Sequence, residues 1–203
     1  MEAFGKKDNK FQDAQAIRSD VDRFYRMVAA GDEAVDIPPE QIYDSLGYDP
    51  TLLAEFPLEI QQGLSCGNPL QALVYHAGET VLDLGCGAGL DLFLLRIQRP
   101  DLGILYGVDR LPEMLAKAER VRDKKGLQDI DFRQGTLTAL PYPDGSIDKV
   151  ISNCVINLEP DKLGAYREIF RVLKPGGQFA ISDILLKQPL NEEILALPDV
   201  YGT

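Results

Sequence analysis

Three glycines on alternate positions, Gly85, Gly87 and Gly89, follow an acid, Asp83, at the end of a short apolar run over 81–84. Glycine is needed where a chain turns sharply or where a ligand must lie against bare backbone. A run of this kind marks a strand buried on both faces of a parallel sheet. The apolar stretch from Leu90 to Leu95 predicts a helix packed back on it. Strand, glycine turn and helix together make the first unit of a doubly wound α/β fold. Asp109 ends a second apolar run over 103–109. It lies about 20 residues beyond Gly89, the spacing at which a carboxylate at the tip of the second strand meets the hydroxyls of a ribose. An ionised carboxylate only accepts, so it can hold both hydroxyls at once. The competing role for Asp109 is to cap a helix that Pro112 opens and that runs to Lys125.

The spacing of the glycines separates two nucleotide chemistries. Dinucleotide sites use G-x-G-x-x-G and leave backbone donors at a helix N-terminus for a pyrophosphate. Here the sixth position is Leu90, and the pattern reads D-x-G-x-G-x-G. It resembles the S-adenosylmethionine loop of class I methyltransferases, whose cofactor carries no phosphate. That resemblance implies S-adenosylmethionine as cofactor, with Asp83 reaching the ammonium of its methionine end directly or through water.

Further positions are set by the elements that follow. A third strand is expected over 131–134, and backbone amides at Thr136 and Leu137, at its C-terminal end, would read the adenine edge. Met114, in the first turn of the preceding helix, either touches the adenine or packs in the core. A fourth strand over 147–152 would project Asn153 and Cys154 into the crevice outside the strand ends, where open α/β sheets bind ligands. A helix from Asp161 ends at Lys174-Pro175-Gly176-Gly177, and a fifth strand is expected over 178–185. Upstream, Cys66 falls on a loop just before Asn68-Pro69, a helix start predicted to run to about His76. His76, the sole histidine, is read as a helix C-terminal partner without a catalytic role.

Composition narrows the partners. The chain has 203 residues, 45% of them apolar, which is enough to bury a full core. With 21 basic against 32 acidic residues its net charge is -11, which disfavours nucleic acid and anionic membrane and points to a small-molecule substrate. No apolar run approaches a membrane span. The N-terminus lacks the apolar core of a signal peptide, so a cytoplasmic location is expected. Three cysteines without paired spacing predict reduced thiols rather than a disulfide framework. By composition alone a single cysteine beside Gly-Asn-Pro is more often structural.

The N-terminal 62 residues are expected to form a helical segment, acting as a lid or padding the sheet. Residues 1–18 read as polar and mobile. Ser19 precedes a first helix ending near Gly31, Pro38 and Pro39 open a second stopped by Gly47, and Asp49 caps a third that runs to Phe56.

Taken together, Leu64-Ser65-Cys66-Gly67-Asn68-Pro69, the glycine loop, Ser152-Asn153-Cys154-Val155-Ile156-Asn157-Leu158 and Pro160-Asp161-Lys162 resemble the arsenite methyltransferases, over about residues 63–183. The cofactor loop and the Lys-Pro-Gly-Gly turn are shared with many methyltransferases, whereas the Ser-Asn-Cys-Val-Ile-Asn-Leu run is far more specific. The resemblance implies a Rossmann-like class I methyltransferase domain over 63–187, a parallel sheet of about five strands with helices on both faces. It further implies that Cys66 and Cys154 ligate trivalent arsenic, a soft, thiophilic centre suited to thiolates. Arsenic held by sulfur keeps a lone pair that can attack the methyl carbon in line with the departing sulfur, so no general base is needed and positioning does most of the work. A thiol reductant is implied as well. Cys86, inside the glycine loop, is read as structural, and Asn153 as a cofactor contact. The family's third arsenic-ligating cysteine would fall immediately beyond Thr203, and its last two strands are absent. Residues 188–203 therefore read as the start of a truncated C-terminal region or the end of a short relative. The competing functions are methyl transfer to another small acceptor, such as a quinone or metabolite, and non-catalytic binding of cofactor or arsenic.

Overall fold

The computed structural model describes residues 14–31 and 37–188. Strands β1 (Val81–Leu84), β2 (Leu105–Asp109), β3 (Ile130–Gln134), β4 (Ile147–Asn153) and β5 (Leu173–Ser182) form one sheet in the order β3-β2-β1-β4-β5. Every pairing is parallel. The chain winds outward from β1 in one direction and then from β4 in the other, so the switch in winding falls between β1 and β4, where a doubly wound sheet opens a crevice.

Side chains of β1 alternate between two cores. Val81 joins Leu92, Phe93 and Leu95 of helix α4 (Leu90–Gln98) and Ala118 and Val121 of helix α5 (Pro112–Lys125). Leu82 and Leu84 point the other way, with Ile169 and Val172 of helix α6 (Lys162–Val172). Helices thus cover both faces, and all four residues of β1 are buried as the apolar run predicts. Among the described residues β5 is an edge strand, and Phe179 on it and Phe170 on α6 remain exposed.

The N-terminal helices begin and end differently from their sequence signals. Helix α1 spans Ala14–Ala30. Ser19 does not start it but sits inside, its hydroxyl donating to the Gln15 carbonyl, the back-bonding open to a serine within a helix. Helix α2 (Pro39–Ser45) opens on proline and gives way to Gly47 as expected. Helix α3 (Pro50–Leu53) is shorter than predicted, although Asp49 does cap it by accepting from the Thr51 amide. The expectations for residues 1–13 and 189–203 lie outside the described residues.

Two other expectations are corrected. Pro69 opens only a 3-10 turn, Pro69–Ala72, and Asn68 makes no side-chain cap. His76 is therefore not at a helix end; it is exposed, and its backbone amide donates to Glu79. Strand β5 ends three residues before the predicted boundary, which frees Asp183 from the ladder.

Candidate active site

The C-terminal ends of β1 and β4 open into a cleft with about 1200 Å³ of unfilled space, part of it open to solvent, ample for a nucleoside-sized ligand. Its floor is the loop after β1. Gly87 has φ of 51° and open space where a Cβ would stand, so bare backbone faces the cleft. Its amide donates to Asp109 Oδ2 at 2.9 Å. Gly85 has φ of 64°, and a Cβ there would collide with Val155. Gly89 does not line the cleft. It precedes α4 and faces Phe132 and Phe93, so its role is packing between helix and sheet.

Asp83, Asp109, Met114, Thr136 and Leu137 all line the cleft. Besides the Gly87 amide, Asp109 accepts from the Leu111 amide at 2.9 Å through Oδ1, so it braces the glycine floor against the residue that precedes α5. Each carboxylate oxygen keeps a further acceptor site. Met114 is 2% exposed and packs with Leu111 and Val28, so core and cleft share it.

Three buried acids converge here. Burial pushes the Asp83 carboxyl well above the usual carboxylate range, and the charges of Asp91 and Asp109 push it further. Burial also raises Asp91 and Asp109, against the hydrogen bonds each accepts. Like charges in a low-dielectric cleft repel, and a cation placed among them relieves that cost.

Asp91 was not singled out by the sequence, though an acid inside the apolar stretch Leu90-Asp91-Leu92-Phe93 was the available signal. Its carboxylate accepts from the Tyr48 hydroxyl at 2.8 Å and from Asn153 Nδ2 at 3.0 Å. Asn153 Nδ2 also reaches the Tyr48 oxygen and the Gly67 carbonyl, and its Oδ1 accepts from the Cys66 amide at 3.2 Å. Asn153 lines the cleft, and these bonds tie it to the Cys66 loop. Tyr48→Phe is expected to lower folding stability by about 1–3 kcal/mol, the cost of stranding buried polar partners. Chemical denaturation measures this, and an unchanged midpoint would contradict the network's role.

That network brings two distant cysteines together. Cys66 and Cys154, 88 residues apart, form a disulfide with their Cα atoms 5.6 Å apart. The expectation of reduced thiols is corrected for this pair: the partners come from separate elements, so spacing along the chain could not reveal them. Cys154 has φ of 59°, the one positive value of a non-glycine among the described residues. Such a conformation persists only where the surroundings enforce it, and here the Cys154 amide donates to the Ser182 carbonyl at 2.7 Å. Cys86 remains a free, buried thiol whose pKa burial raises.

Helix α1 lies over the cleft, contributing Arg18, Val21, Asp22 and Tyr25 to its lining. Arg18 pairs with Glu159 at 2.6 Å beyond β4, and Asp22 with Arg110 at 2.9 Å beyond β2. The Tyr25 hydroxyl is pushed up to about 12 by burial and by the nearby charges of Asp109 and Asp183.

A parallel sheet wound in this order, with a glycine floor and an acid at each of the first two strand tips, defines a class I methyltransferase fold. Residues 75–202 match the family model described as a methyltransferase domain, and the chain belongs to that family. An arsenite methyltransferase of Halobacterium salinarum is 42% identical over 156 residues, 77% of this chain and 40% of that protein. The human arsenite methyltransferase is 37% identical, over 60% of this chain and 35% of its own. The crystal structure of CrArsM, an arsenic(III) S-adenosylmethionine methyltransferase from Chlamydomonas reinhardtii, superposes with a TM-score of 0.55 and 33% identity, covering 82% of this chain and 57% of that one. The chain spans about 40% of the length of the first two curated relatives it matches. Among the described residues no helix is long and apolar enough to cross a membrane.

The cofactor of the family is S-adenosylmethionine, and the donor set fits it. The open backbone at Gly87 gives a nucleoside a surface to lie on, Asp109 offers acceptors for ribose hydroxyls, and the acids around Asp83 suit a cationic ligand. A pH dependence follows. A carboxyl whose folded pKa is raised contributes stability present below its unfolded value and lost as pH rises through the folded value. A bound cation favours the ionised form and offsets that loss. The rise in melting temperature at saturating S-adenosylmethionine is therefore expected to be larger near pH 8 than near pH 5, the side of the ordinary carboxylate range on which these raised groups take up protons. A shift of equal size at both would contradict it.

Proposed function

We propose that this chain transfers a methyl group from S-adenosylmethionine to trivalent arsenic held by the thiolates of Cys66 and Cys154. The observation that carries the reading is the contact between two cysteines from separate elements, one of which, Cys154, lines the same cleft as the glycine loop. When bound, S-adenosylmethionine supplies a methyl group on a sulfonium. Gly85, Gly87, Asp83, Asp109, Met114, Thr136 and Leu137 hold it and fix its orientation.

In the disulfide state neither sulfur is available to a metalloid. A thiol reductant opens the pair: two external thiols give up two electrons and two protons, become a disulfide, and leave Cys66 and Cys154 as thiols. Arsenite then loads by exchange. Each thiol proton leaves with an arsenic hydroxyl as water, and an arsenic–sulfur bond replaces the arsenic–oxygen bond. The N-terminal segment, through α1 and its pairs with Glu159 and Arg110, covers the cleft and limits water.

The disulfide itself favours a second reading, in which both cysteines are structural and the acceptor is another small molecule. Calorimetry separates the two. Reduced protein is expected to bind S-adenosylmethionine and arsenite, and protein with the disulfide intact to bind S-adenosylmethionine alone. Cofactor binding without arsenite binding in the reduced state would favour the other acceptor.

A further inference from the structure

A stripe of charge fastens helix α1 over the cleft. Arg18, Asp22 and Arg26 stand four residues apart, on one face of the helix, with alternating sign. Arg18 pairs with Glu159 beyond β4, Asp22 with Arg110 beyond β2, and Arg26 with Glu113 of α5 at 3.5 Å. The middle member has an oxygen that this fastening does not use. Asp22 Oδ2 accepts from Arg110 Nη2 at 2.9 Å. Oδ1 is buried and has no hydrogen-bond partner among the described residues, and Asp22 lines the cleft. A buried acceptor costs free energy until a donor reaches it.

The place of Asp22 says which donor that is. Arg110, which holds it, directly follows Asp109 at the tip of β2. Tyr25 and Val28 of α1 pack with Leu111 and Met114, just beyond that tip. Asp22 therefore approaches the tip of β2 from the helix, and Asp109 from the sheet. An ionised carboxylate only accepts, so its ligand must donate. S-adenosylmethionine offers the ammonium of its methionine end, the amino group of its adenine and two ribose hydroxyls. Asp83, among the acids that suit the ammonium, lies on β1, and Thr136 and Leu137, read as facing the adenine, follow β3. The ribose falls to the tip of β2 between them.

We propose that Asp22 Oδ1 accepts a hydrogen bond from one ribose hydroxyl of S-adenosylmethionine, so that α1 brings a second carboxylate to the nucleoside. The inference rests on the reading of Asp109 as a ribose acceptor. Asp109 already takes two backbone amides, from Gly87 and Leu111, and a second acid lets the two hydroxyls be divided between two carboxylates. The ribose then ties the sheet to α1. Asp22 is a specificity-determining residue on this account, because a nucleoside without that hydroxyl loses the tie.

Deoxy analogues test this. Calorimetric titrations would use S-adenosylhomocysteine, which keeps the nucleoside and has no methyl to transfer, together with its 2′-deoxy and 3′-deoxy forms. Wild type is expected to bind each deoxy form about tenfold or more weakly than the parent, the range for a hydrogen bond to a charged group. In Asp22→Ala the parent should weaken by a similar factor, and the preference over one deoxy form should vanish, because substitution and deletion remove the same bond. Asp22→Asn, which keeps an oxygen, should fall between. Arg110→Gln breaks the ion pair but keeps the acceptor, so the wild-type preference should persist in it. An equal loss for all three ligands in Asp22→Ala would make Asp22 a fastening of α1 alone and overturn the proposal, as would unchanged binding of all three. Preferences abolished by Asp109→Ala and untouched by Asp22→Ala would overturn it while leaving Asp109 as the ribose acceptor. Wild type that binds all three ligands equally would overturn both roles.

Discussion

Replacing Cys154 with serine is expected to weaken binding of trivalent arsenic to the reduced protein by about 100-fold or more. The expectation follows from chelation. Two thiolates on one scaffold make the second bond intramolecular, and that advantage is commonly about 10²–10⁴. A serine oxygen is too hard a donor to replace the lost sulfur. Cys66→Ser should show a similar loss, and the double variant should add little, because a single remaining thiol already lacks the chelate. Affinity for S-adenosylmethionine should survive in both, since neither sulfur belongs to the glycine floor. Titration of each reduced variant with arsenite measures the effect. Wild type and Cys154→Ser binding equally would remove the substrate assignment and leave the cofactor site standing.

Asp109→Ala is expected to weaken S-adenosylmethionine by roughly 1.5–3 kcal/mol, the range for hydrogen bonds to a charged group, or about 10- to 100-fold. The substitution also strands the Gly87 and Leu111 amides, each 2.9 Å from an Asp109 oxygen. A loss could therefore arise from a loosened loop. Asp109→Asn separates the causes, because its single carbonyl oxygen still accepts one of those amides while the charge and the second acceptor are gone. If ribose recognition dominates, both variants lose affinity and the melting temperature of the free protein falls much less for Asn than for Ala. Unchanged affinity in Asp109→Ala would return Asp109 to capping alone.

The fold was legible wherever one element carried its own signal. The buried run at Val81, the glycines after it and the acid ending β2 are local patterns, and the structure places Asp83, Gly85, Gly87 and Asp109 around one cleft. Local signals also misled. Asn68-Pro69 has the chemistry of a helix start, yet the segment makes only a short turn, because the loop is held by Asn153 and Tyr48 from elsewhere in the chain. The strand-tip position of Asn153 was visible in the sequence, while its bonds to Tyr48, Asp91 and Gly67 were not.

What the sequence could not convey depends on contacts across long separations. The Cys66–Cys154 bond and the Tyr48–Asp91–Asn153 network join segments that only the fold brings together.

The most direct test of the account is a single-turnover reaction in which reduced protein, in excess over arsenite, receives S-adenosylmethionine carrying a labelled methyl group. The account predicts labelled methylarsenic and S-adenosylhomocysteine in equal amounts, both lost in Cys154→Ser. Protein that demonstrably holds both ligands yet forms neither product would contradict it.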